Sequence, residues 1–376
     1  VLSLTPKAAR AQQQVVQGYA VDRLYLSPPE GGWFVMDTLD LHGGLGGATS
    51  FTLDYAHDPV KVRDGSDRLT VVGNEALARF AFAATYDRFR LSIGLDMPLD
   101  VDGHGGNVGA YQFVVPSSGQ PYTPDGVNPS TTSDAFADAR VGLDARLYGD
   151  PGSALRLGAS AQLYIPSPNT NQTEYLTDGT FRAMFRVLAA GDAGAYSYAA
   201  HLGVHVRPVD VESAPIGPHG SELLFGLAVG RKFDLDARKA VKLFVGPEIF
   251  GETAFNDFFQ TNTTGIEGLL TGRIEGTADD GPQLRGKLGI GAGLDPHFGA
   301  PEWRIVASIE LFDHSTDTDG DGVYDAKDAC PKVRGVKTND RRTNGCPADR
   351  DSDDPVDRRD ACPKVPGADV SEEGGC

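Results

Sequence analysis

Over most of its length the chain alternates apolar and polar side chains with a period of two, and this constrains its fold more than any other feature. In 139–148, Ala139, Val141, Leu143, Ala145 and Leu147 alternate with Arg140, Gly142, Asp144, Arg146 and Tyr148. The pattern recurs in 155–165 (Leu155, Leu157, Ala159 against Arg156, Gly158, Ser160), in 89–97 and in 284–295. Period two with one apolar face specifies β-strands, and runs of about ten residues match the length at which a tilted strand crosses a bilayer. No stretch approaches the roughly eighteen consecutive apolar residues of a spanning helix, so a closed β-barrel is the remaining way to cross.

A water-soluble sandwich alternates in the same way. Two features favour a barrel instead. The polar faces carry glycines and opposed charges, such as Arg140, Asp144 and Arg146, which suit a lumen. Connections alternate between short turns (near Asp87, at 149–152, 191–194, 235–238 and 278–282) and long loops (99–135, 166–179, 208–220, 253–264 and 296–301). Outer-membrane barrels have short periplasmic turns and long external loops. Counting back from the last strand, Trp303–Phe312, with the N-terminus in the periplasm gives about fourteen strands, the first being Gly18–Leu26. Twelve strands result if Gly18–Asp40, whose alternation is poor, lies inside the barrel as a plug. The expected class is all-β: a transmembrane antiparallel barrel over 12–312, followed by a small calcium- and disulfide-stabilised segment over 313–376. Residues 1–11 are expected to be a signal-peptide remnant, because Val1-Leu2-Ser3-Leu4 reads as the end of an apolar core and Ala9-Arg10-Ala11 as a cleavage site. The chain is expected to be a fragment at both ends.

After residue 312 the composition changes. Two aspartate ladders follow, Asp317, Asp319, Asp321, Asp325 and Asp328, then Asp349, Asp351, Asp353, Asp357 and Asp360, and each leads into Ala-Cys-Pro. Carboxylates at loop positions 1, 3, 5, 9 and 12 supply the oxygen set of a calcium loop, and the carbonyls of Val323 and Pro355 stand at position 7. Gly322 occupies the sharp turn of the first ladder, whereas the second has Asp354 there, a poorer fit. All four cysteines lie in this region. Cys330 with Cys346 and Cys362 with Cys376 are natural local pairs, although four cysteines permit three connectivities. Paired cysteines imply an oxidising compartment.

Aspartate ladders flanked by prolines and cysteines, without EF-hand helices, resemble thrombospondin type 3 repeats, and that resemblance implies bound calcium. The strand Trp303–Phe312, ending in Phe, resembles the terminal assembly signal of bacterial outer-membrane barrels. Barrel first and repeats second resembles OmpA-family proteins of Gram-negative bacteria, in a version seen in myxobacteria and their relatives. The matching stretches are Gly32-Trp33-Phe34-Val35-Met36-Asp37, Arg140-Val141-Gly142 and Asp328-Ala329-Cys330-Pro331. The resemblance implies a barrel held in outer-membrane lipid, repeats in the periplasm, and a C-terminal peptidoglycan-binding domain that these residues do not include.

Catalytic patterns are not evident: there is no Gly-x-Ser-x-Gly, His-Glu-x-x-His or phosphate-binding glycine loop. The chain is therefore expected not to be an enzyme. His201 and His205 share the polar face of one strand with Arg207, as members of a lumenal charge network rather than a metal site. A net charge of −18 argues against nucleic acid. Three roles remain: an envelope anchor with a calcium-stiffened spacer, a porin-like channel with an appended spacer, and, more weakly, a surface adhesin. A lumen packed with opposed charges (Arg140, Arg146 and Arg156 against Asp96 and Asp144) favours the first, and a continuous water column the second.

Overall fold

A computed structural model of the chain describes residues 14–16, 18–41, 45–113, 136–167, 175–209, 220–235, 241–260, 263–276, 283–295, 299–314, 319, 321, 323 and 325–348. In chain order its strands are β1 (Gln14–Val16), β2 (Leu45–Asp64), β3 (Asp67–Tyr86), β4 (Phe89–Asp102), β5 (Gly106–Val108), β6 (Tyr111–Phe113), β7 (Ala139–Tyr148) and β8 (Arg156–Ile165). They continue with β9 (Arg182–Ala193), β10 (Tyr196–Val206), β11 (Glu222–Asp234), β12 (Val241–Ala254), β13 (Thr264–Gly276), β14 (Gln283–Asp295) and β15 (Trp303–His314). Strands β2–β4 and β7–β15 form a closed antiparallel barrel of twelve, and β15 returns to pair with β2 from Trp303↔His57 to His314↔Gly46.

The alternation in the sequence becomes two faces of opposite character. Phe82, Leu91, Val187, Leu288 and Ile309 point outward and are about half exposed, while Arg90, Asp144, Arg156, Glu248 and Arg304 point inward and are buried. Apolar outside and charged inside inverts the arrangement of a water-soluble sandwich and is that of a transmembrane barrel.

The fourteen-strand count does not hold; the twelve-strand alternative does. Residues 18–41 form no barrel strand but run through the lumen, and almost every side chain there is buried. Pro28, Pro29 and Gly31 interrupt any extended pattern, and Glu30, Gly32 and Leu39 adopt positive φ values of 74°, 90° and 56°. A segment surrounded by wall on every side has no solvent face, so it has no reason to alternate.

The first described strand does not lie at the periplasmic end that the strand count assumed for the start of the chain. Strand β1 pairs in parallel with β6, which lies in the connection between β4 and β7 at the long-loop end. From there residues 18–41 run down the lumen toward the turn end, where β2 begins. At the long-loop end β2 and β3 are joined by a tight turn at Gly65 and Ser66 where a long loop would continue the alternation; length comes instead from the strands themselves, twenty residues each.

Candidate functional site

The lumen is the first candidate site, and its geometry is set by what fills it. At the long-loop mouth Val16, Tyr19 and Val21 pack with Val60, Val72, Val101 and Tyr175 in one apolar cluster. Deeper, Leu24, Trp33, Phe34 and Met36 pack against Ala199, Ala228, Phe250 and Val306 of the wall. Inward glycines make room for the larger side chains. A Cβ at Gly230 would lie 2.3 Å from the Trp33 ring, one at Gly289 2.9 Å from Phe34, and one at Gly158 2.8 Å from Leu39.

Charged wall residues hold the backbone of the segment. Glu248 of β12 accepts hydrogen bonds from the amides of Phe34 (2.9 Å), Val35 (2.9 Å) and Met36 (3.3 Å), and from Thr271 Oγ1 (2.7 Å). From the opposite polarity, Arg140 donates to the Leu26 carbonyl (2.8 Å), Arg146 to Leu41 (2.6 Å), Arg156 to Thr38 (2.7 Å), Arg207 to Ala20 (2.8 Å) and Lys287 to Trp33 (3.2 Å). A buried strand-less backbone must satisfy its amides and carbonyls somewhere, and here the wall's side chains do so.

Ion pairs complete the contact. Arg23 of the segment reaches Glu222 (3.2 Å) and Glu252 (2.5 Å); Asp37 pairs with Arg90, which also meets Asp144 at 3.0 Å. Asp40 lies 3.2 Å from Arg156, whose other partner is Asp192 at 2.9 Å. Near the mouth, Arg207 binds Asp178 (2.7 Å) and Glu222 (2.8 Å). Burial alone would raise the Asp178 carboxyl, but the guanidiniums of Arg207 and Arg182 outweigh it and hold it well below the usual carboxylate range. His205 is buried with Nδ1 3.3 Å from the Tyr25 hydroxyl and 3.4 Å from Glu222, within the expected charge network. Among the described residues the lumen has a cavity of about 10 Å³ beside Arg23 and His201, and one of about 40 Å³ beside Asp22 and Arg79, room for about one water.

The second candidate is the first aspartate ladder. Asp319, Asp321 and Asp328 each place a carboxylate oxygen within 4.8 Å of the others. The cluster is shaped by short local bonds: Val323 N donates to Asp321 Oδ1 (2.8 Å), Gly335 N to Asp321 Oδ2 (2.8 Å) and Cys330 N to Asp328 Oδ1 (2.6 Å). Gly345, at φ 77°, backs directly onto Asp328, where a Cβ would lie 2.0 Å from Oδ1. Asp328 Oδ2 is buried without a hydrogen-bond partner among the described residues. This all-oxygen set, with an acceptor left over, fits a hard cation such as calcium. Asp325 begins a short 3₁₀ turn, Asp325–Lys327, outside that trio, and Val323 is buried beside it. Cys330 and Cys346 are disulfide-bonded, as their spacing suggested. Asp317, Asp349, Asp351, Asp353, Pro355, Asp357, Asp360, Cys362 and Cys376 lie outside the described residues, as do the cleavage-site residues 1–11.

Comparison with known proteins finds only distant likenesses. No family model matches the chain, and no curated protein matches it. Among solved structures it is similar to an outer membrane channel from Pseudomonas putida F1, with 13% identity over 76% of this chain and 98% of that one at a TM-score of 0.43. It is also similar to the NanC porin (6% identity, 70% and 98% covered, TM-score 0.39) and to the beta domain of the Bordetella autotransporter BrkA (14%, 72% and 98%, TM-score 0.34). Likeness at this level assigns no activity.

Proposed function

We propose that this chain is a structural outer-membrane barrel, its lumen stoppered by its own residues 18–41, which anchors a calcium-binding periplasmic spacer. The observation that carries this reading is the filled lumen: wall charges that would line an aqueous pore are instead bonded to the backbone and side chains of the lumenal segment. The half-exposed apolar belt supports placement in outer-membrane lipid. Asp319, Asp321 and Asp328 would hold calcium, which would supply charge neutralisation to a segment poor in apolar core and so stiffen it. By its resemblance to OmpA-family proteins, the spacer would lead toward peptidoglycan through a further domain.

A porin-like channel is the second reading, favoured by the abundance of inward charges; it requires residues 18–41 to leave. An adhesin role rests only on the long loops. Proteoliposome swelling with small sugars separates the first two readings. The anchor gives swelling no faster than empty vesicles, whereas rapid size-dependent swelling by the unmodified protein would make it a channel. Calcium titration of the full chain tests the spacer: D319N/D321N/D328N is expected to lose one bound calcium, and an unchanged stoichiometry would remove that role from these residues.

A further inference from the structure

A carboxylate cluster inside the barrel is left unexplained by either role. Asp54 of β2 faces Leu77 of β3 in register, so Glu75 and Arg79, two residues to either side of Leu77, flank it on the same inward face. Asp22 of the lumenal segment meets them there. Asp22, Asp54 and Glu75 each offer a carboxylate oxygen within 4.8 Å of the other two. Two guanidiniums serve the group. Arg79 reaches Asp22 (2.5 Å), Asp54 (2.7 Å) and Asp96 (3.2 Å), and Arg304 reaches Asp54 (2.6 Å), Glu267 (2.8 Å) and Asp22 (3.3 Å).

These cations do not complete the site. Both contact Asp54 through Oδ2, which leaves its Oδ1 buried without a hydrogen-bond partner among the described residues. Glu75 is 1% exposed, and neither of its carboxylate oxygens has a partner there. Five carboxylates, counting Asp96 and Glu267, thus share two guanidiniums. Burying unpaired negative charge is costly, so a further positive group is called for. Mutual spacing up to 4.8 Å suits oxygens about 2.3–2.6 Å from a shared ion.

We propose that Asp22, Asp54 and Glu75 form a binding site for a hard divalent cation, calcium or magnesium, which fastens the lumenal segment to the β2–β3 wall. Asp22 belongs to the segment, and Asp54 and Glu75 belong to the barrel, so the ion bridges the two. This site is separate from the aspartate ladder and stands whether or not the spacer binds calcium.

The test uses the full chain carrying D319N/D321N/D328N, which silences the first ladder, with and without an added Glu75→Gln. Elemental analysis after dialysis against calcium or magnesium is expected to find one equivalent fewer in the Glu75→Gln protein. Hydrogen exchange gives a second readout. Chelation is expected to speed exchange of the peptide spanning 18–26 at least tenfold when Glu75 is present, and to leave it unchanged in Glu75→Gln. Folding of each protein is checked by the mobility shift of the unheated barrel on a gel. Equal metal content with and without Glu75, or exchange at 18–26 indifferent to chelation, would overturn the proposal and leave a proton on Glu75 as the neutralising group.

Discussion

Replacing Glu248 by Ala should release the lumenal segment from the wall. Its carboxylate is the shared acceptor for three consecutive amides, those of Phe34, Val35 and Met36, at 2.9, 2.9 and 3.3 Å, and it is fully buried. A hydrogen bond to a charged group contributes roughly 1.5–3 kcal/mol, and a buried donor left without a partner costs about 1–3 kcal/mol. Water entering the space left by the side chain recovers part of this, so the docked segment should lose roughly 4 kcal/mol, which is about a thousandfold in its opening equilibrium. Glu248→Gln keeps one acceptor oxygen of the same shape and should lose about half as much free energy. Hydrogen exchange of the peptide spanning 27–41 reads this directly, with peptides from β3 and β4 as internal reference. Exchange in 27–41 should accelerate in the order wild type, Gln, Ala, while the reference peptides hold. If Glu248→Ala exchanges within threefold of wild type, Glu248 does not hold the segment and the reasoning from its three amides fails.

Gly230→Ala places a Cβ against the Trp33 ring and the Val245 carbonyl; the ring must shift, and since Trp33 and Trp303 are the only tryptophans, the displacement is expected as a red-shifted, more readily quenched emission from a Trp303→Phe background. Arg90→Ala strands the buried Asp37 and Asp144 and should destabilise the packed lumen by about 3–5 kcal/mol, read as a lower heating temperature for loss of the folded gel band. Cys330→Ser with Cys346→Ser is expected to raise protease sensitivity in 319–348 while the barrel band is unaltered, since the bridge lies wholly within that segment. An epitope inserted ahead of Gln14 should be reached by antibody on intact cells, because β1 lies with β6 at the long-loop end; protection until the outer membrane is permeabilised would contradict the direction in which the segment threads.

Much of the wall was legible in the sequence because a strand with lipid on one side and lumen on the other must alternate. The barrel class, the inward charges and the last strand followed from that rule. The aspartate trio and the Cys330–Cys346 bridge were legible because both are local, set by spacings of a few residues. The lumenal segment was less so. With protein on every side, residues 18–41 carry Leu24, Trp33, Phe34 and Met36 without a period, and strand parity alone was a weaker guide than that missing period. Charge partners were also beyond reach. Arg140, Arg146 and Arg156 set against Asp96 and Asp144 across the lumen would have favoured an anchor, but the sequence does not say whether they meet. The three arginines bind the carbonyls of Leu26, Leu41 and Thr38 instead, while Asp144 pairs with Arg90 and Asp96 with Arg79. Alternation says which way a side chain points, and only the path of the segment says what it meets.

If the barrel is closed by its own chain, planar-bilayer conductance will show it. The purified full chain should be silent or flicker rarely, and deletion of residues 18–41, with the folded gel band as control, should produce stable steps. Glu248→Ala should fall between them, with brief openings. Stable, large steps from the unmodified chain would contradict the account and make this barrel a pore.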